Sequence, residues 1–342
     1  MGNERNHEVT TPQRLLTDAG SIAECGWSRH IIQTYDRKDI KAPKWRIKEW
    51  DYYLVLNKDY AVAFTLSDDG YIGLQSVSLL DFVNKWEHTE TILNLFPMGK
   101  FKFPSNSSDG DVSYEDKRLS LSYKLEPGKR IIDANFKDFY EKKPFTCHIE
   151  LAQPDMDTMV IATPWKEKKK AFYYNQKINC MRASGYAEYD GKRYEFHLET
   201  DFGTLDWGRG VRTYDNTWFW GNGNCDIDGH SFGFNIGYGF GDTSAACENI
   251  LFYDGVAHKL DDITFHISDD YISPWKFTSS DHRFEMDFVP IIDRAANLDM
   301  KVICSDQHQV FGKMTGKAVL DDGTVIEVKD MVCFAEKVHN KY

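Results

Sequence analysis

The stretch DWGRGVRTYDNTWFWGNG, residues 206–223, places an acid beside two arginines, three tryptophans and four glycines. Asp206 is followed by Trp207 and is close in sequence to Trp218 and Trp220. Burial among such rings favours the protonated form of a carboxyl group, which can then act as a general acid. Aromatic faces also stabilise a cationic intermediate. This set suits protonation of an alkene or enol ether, and hence hydration, isomerisation or cyclisation.

Two arginines favour the opposite state of this acid. Arg209 and Arg212 follow Asp206 closely, and a nearby guanidinium holds a carboxylate ionised. A buried ion pair between Asp206 and one of these arginines, fixing a barrel corner, is therefore the alternative. If the stretch forms the wall of a cavity, the arginines are further catalytic candidates, and the rings that would contact a substrate are Trp207, Tyr214, Trp218 and Trp220.

A glycine-rich strand is expected over SFGFNIGYGFG, residues 231–241. Phenylalanine, isoleucine and tyrosine alternate with glycine, serine and asparagine, so one face consists almost wholly of small residues. That face leaves space for a ligand, which would make Asn235 and Tyr238 substrate-binding candidates. It equally suits a packed aromatic ring or a bend at a barrel corner.

Three more polar groups follow this strand. Asp242 and Glu248 bracket the small-residue segment GDTSAACEN, and two carboxylates that flank a cleft are the arrangement used in glycoside hydrolysis. His308 lies two residues after Asp306, which would orient its imidazole. We therefore include Asp242 and Glu248 among the catalytic candidates and His308 among the binding candidates.

Composition excludes several classes of partner. The net charge of −12 disfavours nucleic acid and anionic membranes, and no apolar run is long enough to insert into a membrane. The N-terminus shows no signal peptide. The seven cysteines are odd in number and contain no C-x-x-C pair, which predicts reduced thiols in a cytoplasm. No metal or cofactor motif occurs, so we expect neither.

The elements that must position these residues are predicted to be antiparallel strands. Six Asp-Gly pairs, of the type favoured in hairpin turns, separate segments of alternating polarity. Meanders of this length close into barrels or pack as sandwiches, because open edges invite aggregation. The polar stretch over residues 163–170 divides the chain near its middle. We therefore predict an N-terminal β-barrel domain at residues 1–165 and a C-terminal one, carrying the site, at 166–342.

Several blocks resemble a known family. The blocks YYNQKINCMRASGYAEYDGKRYEF, LDWGRG, TWFWGNG and ENILFYDGVAHKL, with others along nearly the whole chain, look like the bacterial domain-of-unknown-function family 2804. This resemblance implies no particular activity, because the name of the family assigns it no function.

A more distant similarity is to carotenoid 1,2-hydratases (hydroxyneurosporene synthases) and AttH-like proteins. Asp206 lies where their acidic block would be, the Trp218-Phe219-Trp220 strand where their aromatic strand would be, and Asp228-Gly229 at their turn. The resemblance implies an all-β fold of two antiparallel lipocalin-like (calycin-like) β-barrels or strongly curved sheets packed side by side. Trp207 and Gly208 replace the histidine and glutamate of that block, so the similarity supports the fold better than it supports hydration.

The sequence is compatible with three functions. The first is an enzyme that binds an apolar or amphipathic small molecule and catalyses acid-assisted isomerisation, hydration or cyclisation. The second is a carbohydrate-active protein, either a glycoside hydrolase or a glycan-binding protein, since sugars also stack on aromatic rings. The third is a non-catalytic lipocalin-like carrier. A deep apolar pocket would favour the first, and an open groove beside two carboxylates the second.

Overall fold

The computed structural model describes residues 5–299 and 304–341, which are almost entirely β-structure. Two single-turn 3-10 helices, Arg37–Asp39 and Lys44–Arg46, are its helical elements. The strands are β1 (Gln13–Arg14), β2 (Gly26–Ser28), β3 (Gln33–Thr34), β4 (Ile47–Leu56), β5 (Tyr60–Asp68), β6 (Ile72–Asp81), β7 (Trp86–Leu95), β8 (Val112–Glu115), β9 (Leu119–Glu126), β10 (Lys129–Tyr140), β11 (Lys143–Ala152), β12 (Met159–Trp165), β13 (Lys168–Tyr189), β14 (Lys192–Phe196), β15 (Phe202–Val211), β16 (Asp215–Ile227), β17 (His230–Tyr238), β18 (Ile250–Tyr253), β19 (Val256–Lys259), β20 (Ile263–His266), β21 (Trp275–Ser279), β22 (Phe284–Asp299), β23 (Cys304–Val319) and β24 (Val325–Lys341).

The first sheet has 13 strands, with the order β7-β6-β5-β4-β15-β13-β11-β10-β9-β8 along its main path. Strands β12 and β14 pair with β13, and β2 pairs with β12. The sheet is strongly curved, because Tyr53 on β4 reaches Tyr123 on β9, five places along that order, with ring centroids 4.6 Å apart. Its edge strands β7 and β8 are consecutive in the chain, so residues 96–111 run from one edge to the other.

The second sheet has nine strands in the order β19-β18-β17-β16-β24-β23-β22-β21-β20. A hydrophobic cluster lies within it, and a larger cluster fills the first sheet and the contact between the two sheets. Across that contact Phe82 lies 5.5 Å from Phe311, and Tyr52 lies 6.0 Å from Trp220, between ring centroids. The prediction of an all-β fold with two strongly curved antiparallel sheets side by side is confirmed: each sheet forms a half-barrel.

The hairpin turns follow the Asp-Gly pairs. Both residues have positive φ at Asp190-Gly191, Asp228-Gly229 and Asp254-Gly255, as the type I′ turn requires. These turns join β13 to β14, β16 to β17 and β18 to β19. These three hairpins agree with the prediction, whereas Asp109-Gly110 lies in the long segment between β7 and β8 and forms no hairpin between adjacent strands.

The change from one sheet to the other falls between Val211 and Asp215. The boundary predicted at 165/166 lies in the β12–β13 hairpin, whose strands both belong to the first sheet. Division of the chain into two independent domains stays a prediction. Within residues 5–299 and 304–341 no helix has the length and apolarity needed to cross a membrane.

Candidate functional site

The opening stretch divides between the two faces of β15. Asp206 pairs in register with Lys177 on β13 and Tyr52 on β4, and all three lie on the face that meets the second sheet. Trp207 and Arg209, at alternate positions, point into the curve of the first sheet. The structure therefore separates Asp206 from two residues that the sequence placed beside it.

On the face between the sheets, Asp206 forms an ion pair with a lysine. Its Oδ1 lies 2.8 Å from Lys177 Nζ and accepts a 2.6 Å hydrogen bond from Asn175 Nδ2. Lys177 is fully buried, and its ammonium lies 3.9 Å from the centre of the Trp220 ring on the second sheet. Neither arginine takes this place: Arg209 pairs with Asp51 at 2.9 Å on the opposite face.

Glu248 is the second carboxyl group of this site. It lies in the loop between β17 and β18, is buried, and neither carboxyl oxygen has a hydrogen-bond partner among the residues described. Burial raises its pKa to about 7, and the charge of Asp206 adds to this effect, whereas Lys177, Lys259 and the nearby Asn235 side chain lower the pKa. Glu248 therefore exchanges its proton near neutral pH, in a desolvated position, whereas an ordinary glutamate is already ionised there.

The glycine face of β17 provides the room for this carboxyl group. A Cβ atom at Gly237 would lie 2.3 Å from Glu248 Oε1, and one at Gly233 would lie 2.6 Å from Cys180 Sγ. The small residues predicted on this face thus accommodate a glutamate and a cysteine. Asn235, between the two glycines, accepts from Trp220 Nε1 at 2.7 Å and donates to the backbone carbonyl of Glu248 at 3.0 Å.

A third buried carboxyl group, Glu336 on β24, differs from Glu248 in its bonding. It accepts from Trp218 Nε1 at 3.0 Å and from Gln309 Nε2 at 2.9 Å. Burial raises its pKa, and both donors oppose that change. Glu336 is therefore committed to structural hydrogen bonds, whereas the carboxyl oxygens of Glu248 are not.

A row of aromatic rings covers the cluster. Tyr173 stacks on Trp50 at 6.2 Å and on Phe240 at 4.7 Å, and Phe240 contacts Trp218 at 5.9 Å. The guanidinium of Arg212 lies between the outer rings, 4.7 Å from Trp50 and 4.6 Å from Trp218. The site is thus closed by four rings and one arginine.

Tyr173 is the hydroxyl group of this site. It is fully buried, and its oxygen has no hydrogen-bond partner in the described part of the chain. Burial raises its pKa well above the ordinary value, and the charges of Glu248, Asp206 and Glu336 add to that effect. Tyr173 therefore keeps its proton and faces the carboxyl groups as a donor.

Other predicted residues lie apart from this cluster. Asp242 is near the surface, where its carboxylate accepts from the Ser244 amide and lies 3.6 Å from Lys166. Tyr214 is exposed on the segment that joins the sheets. Tyr238 stacks on Phe219, on the other face of β17.

His308 belongs to a separate group on β22 and β23. Its Nδ1 lies 2.6 Å from Asp293, its Nε2 lies 3.4 Å from Asp306, and its ring stacks on Tyr271 at 3.8 Å. Asp293 is thus a closer partner of His308 than Asp306, which the sequence suggested as the residue that orients the imidazole. A catalytic or binding role for any of the predicted residues stays a prediction.

Sequence reasoning missed Tyr173, Asn175, Lys177 and Glu336. A signal was present for the first three, which occupy alternate positions of FYYNQKIN and so share one face of a strand. Polar groups at such a spacing within an otherwise apolar strand indicate a buried polar face. Among the residues described, no group of histidine, cysteine and acidic side chains could hold a metal ion.

Chemically, the cluster combines a proton donor, an ion pair and aromatic walls. Glu248 can donate a proton to a carbon or oxygen atom placed against it, and Tyr173 can donate a hydrogen bond. The surrounding rings stabilise positive charge that develops on the ligand. Asp206, held by Lys177 and Asn175, is an acceptor for a proton that leaves.

Comparison with known proteins identifies a family and a fold. The model of the domain-of-unknown-function family DUF2804 matches residues 6–342. No curated protein matches the chain. The family resemblance found in the sequence is confirmed by this match.

Solved structures share the architecture at low sequence identity. An AttH-like protein from Nitrosomonas europaea matches with a TM-score of 0.53 and 12% identity, over 89% of this chain and 97% of that one. CghA matches with a TM-score of 0.53 and 10% identity, over 97% of each chain. CghA with Sch210972 matches with a TM-score of 0.50 and 9% identity, over 87% and 88%. Kievitone hydratase from Nectria haematococca gives 0.47 and 11%, over 97% and 98%. The likenesses to the AttH-like protein and to CghA show the fold.

Proposed function

The chain belongs to the DUF2804 family, and we propose that it binds an apolar or amphipathic small molecule between its two sheets and protonates it. The observation that carries this proposal is Glu248, a buried carboxyl group with a pKa of about 7 whose oxygens accept no hydrogen bond from the residues that the structure describes. A protein that used this group only for structure would satisfy its oxygens, as it does for Glu336. An unsatisfied proton donor in an aromatic enclosure suits an alkene or enol ether as its acceptor.

The proposed reaction is an acid-assisted addition or rearrangement. The Glu248 proton forms a new C–H bond with the electron pair of the substrate double bond, which leaves a cation among the aromatic rings. Loss of a neighbouring proton to Asp206 or back to Glu248 gives an isomer. Attack by water gives a hydrate once the surplus proton of the water passes to Asp206 or Glu248. Attack by a second double bond forms a ring and a new cation, which loses a proton to the same acceptors. The fold accommodates Sch210972 in CghA, which supports a small-molecule ligand here as well.

Entry to the site requires movement of its cover. The cavity beside Arg212, Tyr214 and Trp218 is too narrow to admit a water molecule in this structure. Residues 212–214, which join β15 to β16, carry Arg212 into the space between Trp50 and Trp218. We expect this joining segment to move aside when a ligand enters.

The first test separates apolar ligands from sugars. Tryptophan fluorescence would be titrated with all-trans-retinol and other polyenes, with long-chain lipids, and with oligosaccharides such as maltohexaose. Saturable quenching by the apolar panel is expected, because rings surround the site. Saturable quenching by oligosaccharides alone would overturn the proposal and favour the carbohydrate-active alternative.

The second test concerns proton transfer. Each bound unsaturated probe would be incubated with protein in D2O and examined by mass spectrometry for incorporated deuterium. We expect Glu248→Gln to abolish incorporation, Tyr173→Phe and Asp206→Asn to reduce it, and the exposed control Glu199→Gln to leave it unchanged. Binding without incorporation by the wild type would make the protein a carrier.

A further inference from the structure

A second buried polar site lies inside the curve of the first sheet, on the opposite face of β4, β13 and β15 from Glu248. Arg130 on β10 is 3% exposed and forms no direct ion pair among the residues described, although the carboxylate of Asp51 lines the same cavity and interacts with its charge. Its Nη1 donates to Tyr53 Oη at 3.1 Å and to the Ser107 carbonyl at 2.9 Å. Its Nε donates to Gln153 Oε1 at 2.6 Å. Buried arginines are ordinarily paired with an anion, whereas the hydrogen bonds of this one go to neutral oxygens.

A small cavity adjoins this arginine. It is lined by Asp51, Tyr53, Ser107, Tyr123 and Arg130 among others, and has room for about one water molecule. The hydroxyl of Tyr123 is fully buried and has no hydrogen-bond partner in the described residues. Two tyrosine hydroxyls and a guanidinium therefore converge on the cavity as donors.

The segment of residues 96–111 closes the mouth of this half-barrel. Its backbone supplies acceptors for both buried arginines: the Pro104 carbonyl accepts from Arg209 Nη2 at 3.0 Å, and the Ser107 carbonyl accepts from Arg130. Arg209 also binds Asp51, so the two arginines and this acid leave one positive charge in excess. Neutral carbonyl groups thus occupy positions where an anion would bind more strongly.

We propose that the first half-barrel binds the carboxylate of an amphipathic acid at Arg130, Tyr53 and Tyr123, with residues 104–107 displaced from the mouth. A carboxylate needs more room than the present cavity offers, so the Ser107 carbonyl leaves Arg130 as the head group arrives. Val112 and Leu125 also line the cavity and provide apolar surface for the tail. This site is separate from that of Glu248, and the proposal does not depend on the proposed reaction.

The test compares octanoate with octan-1-ol and inorganic phosphate by isothermal titration calorimetry on the full chain. Octanoate is expected to bind at least tenfold more tightly than the alcohol, because only the acid carries the charge that Arg130 lacks. Equal affinities, or binding of phosphate without octanoate, would overturn the proposal.

Tyr123→Phe is the decisive variant, because its hydroxyl makes no hydrogen bond within the described chain. Its removal is expected to leave the melting temperature no lower than that of the wild type and to weaken octanoate about tenfold, since a hydrogen bond to a charged group is lost. The matched control Tyr186→Phe, on an outward-facing residue beside Arg193, should retain wild-type affinity.

Two further variants complete the design. Arg130→Gln should lose at least tenfold in octanoate affinity, whereas Glu248→Gln should bind octanoate as the wild type does. Undiminished binding by Tyr123→Phe would refute the site, whatever the stability of the Arg130 variant. Weaker binding by Glu248→Gln would place octanoate between the sheets and would also refute it.

Discussion

At the scale of single residues, glycines in this protein define where large side chains lie. A Cβ atom at Gly208 would lie 2.0 Å from the Trp50 ring, just as one at Gly237 would overlap Glu248. The mixture of tryptophan and glycine in residues 206–223 is therefore a packing arrangement between adjacent strands. Bulky and empty positions alternate because one strand's ring occupies the space left by its neighbour's glycine.

Gly237→Ala tests this arrangement at Glu248. The new methyl group would lie 2.3 Å from Glu248 Oε1 and 2.7 Å from the Phe219 carbonyl oxygen, so the glutamate must move. We expect a loss of about 1–3 kcal/mol in the free energy of unfolding, measured by urea denaturation, together with a lower Glu248 pKa. Gly221→Ala meets Ile236 at 3.1 Å and should cost less; an equal loss would contradict the argument.

Glu248 also predicts how stability depends on pH. The folded protein holds its proton up to about pH 7, whereas the unfolded chain releases it near 4.5. The free energy of unfolding that this group contributes is therefore fully present below pH 4.5 and lost as the pH rises through 7. Between pH 5 and pH 8 the wild type should lose roughly 2–3 kcal/mol relative to Glu248→Gln.

The measurement is urea denaturation of both proteins at the two pH values, with Glu199→Gln as the exposed control. Parallel pH profiles for the wild type and Glu248→Gln would show that this carboxyl group has an ordinary pKa in the folded protein. Infrared absorption of a protonated carboxyl group at pH 6, absent from Glu248→Gln, would give the same information directly.

At the scale of elements, an asparagine network fixes the two sheets against each other. Asn179 follows Lys177 at the next alternate position of β13, on the face that meets the second sheet, and a bulge lies between Ile178 and Met181. Asn179 and Asn222 exchange hydrogen bonds of 3.1 and 3.0 Å, and Asn179 Nδ2 also donates to Asn224 at 2.8 Å. Buried amide groups of this kind bond fully in only one relative position of the sheets.

Asn179→Ala should consequently be severe. It removes several buried hydrogen bonds at about 0.5–1.5 kcal/mol each, although the Asn222 amide keeps Asn235 at 3.3 Å and the Asn224 carbonyl oxygen keeps the Cys180 amide at 2.9 Å. We expect a loss of about 3 kcal/mol or more in urea denaturation with an unchanged dependence on urea concentration. Asn216→Ala, on the same strand as Asn222 but outside the network, is the control and should differ little from the wild type.

The sequence predicted individual strands and hairpins, but it did not predict which residues of distant strands pair with each other. Asp-Gly pairs and two-residue periodicity identify hairpins because both are local. Lys177 and Asp206 are 29 positions apart, and only the pairing of β13 with β15 makes them neighbours. The sequence therefore suggested Asp206, Glu248 and the tryptophans as candidates, but it carried no information on which arginine or lysine each acid would meet.

At the scale of the whole molecule, the two sheets share one hydrophobic cluster, which includes Leu54 and Tyr173 from the first sheet and Trp220 and Phe334 from the second. Separating the sheets would expose this surface to water. We expect a single calorimetric unfolding transition, with equal calorimetric and van't Hoff enthalpies. Two resolved transitions would support independent domains, and fragments cut after residue 165 and after residue 211 would then locate the boundary.

The alternation along β15 has an evolutionary consequence. Asp206 faces the contact between the sheets, and Trp207 faces the interior of the first half-barrel. Deletion of one residue within this strand would move the side chains of each face to the opposite face. A tryptophan would then lie against Lys177, and an aspartate would lie against Tyr35 and Tyr174. Insertions and deletions among members of the family should therefore be absent from β4 and β15 and should occur in the turns. Single substitutions on one face of β15, by contrast, can be selected independently of those on its other face.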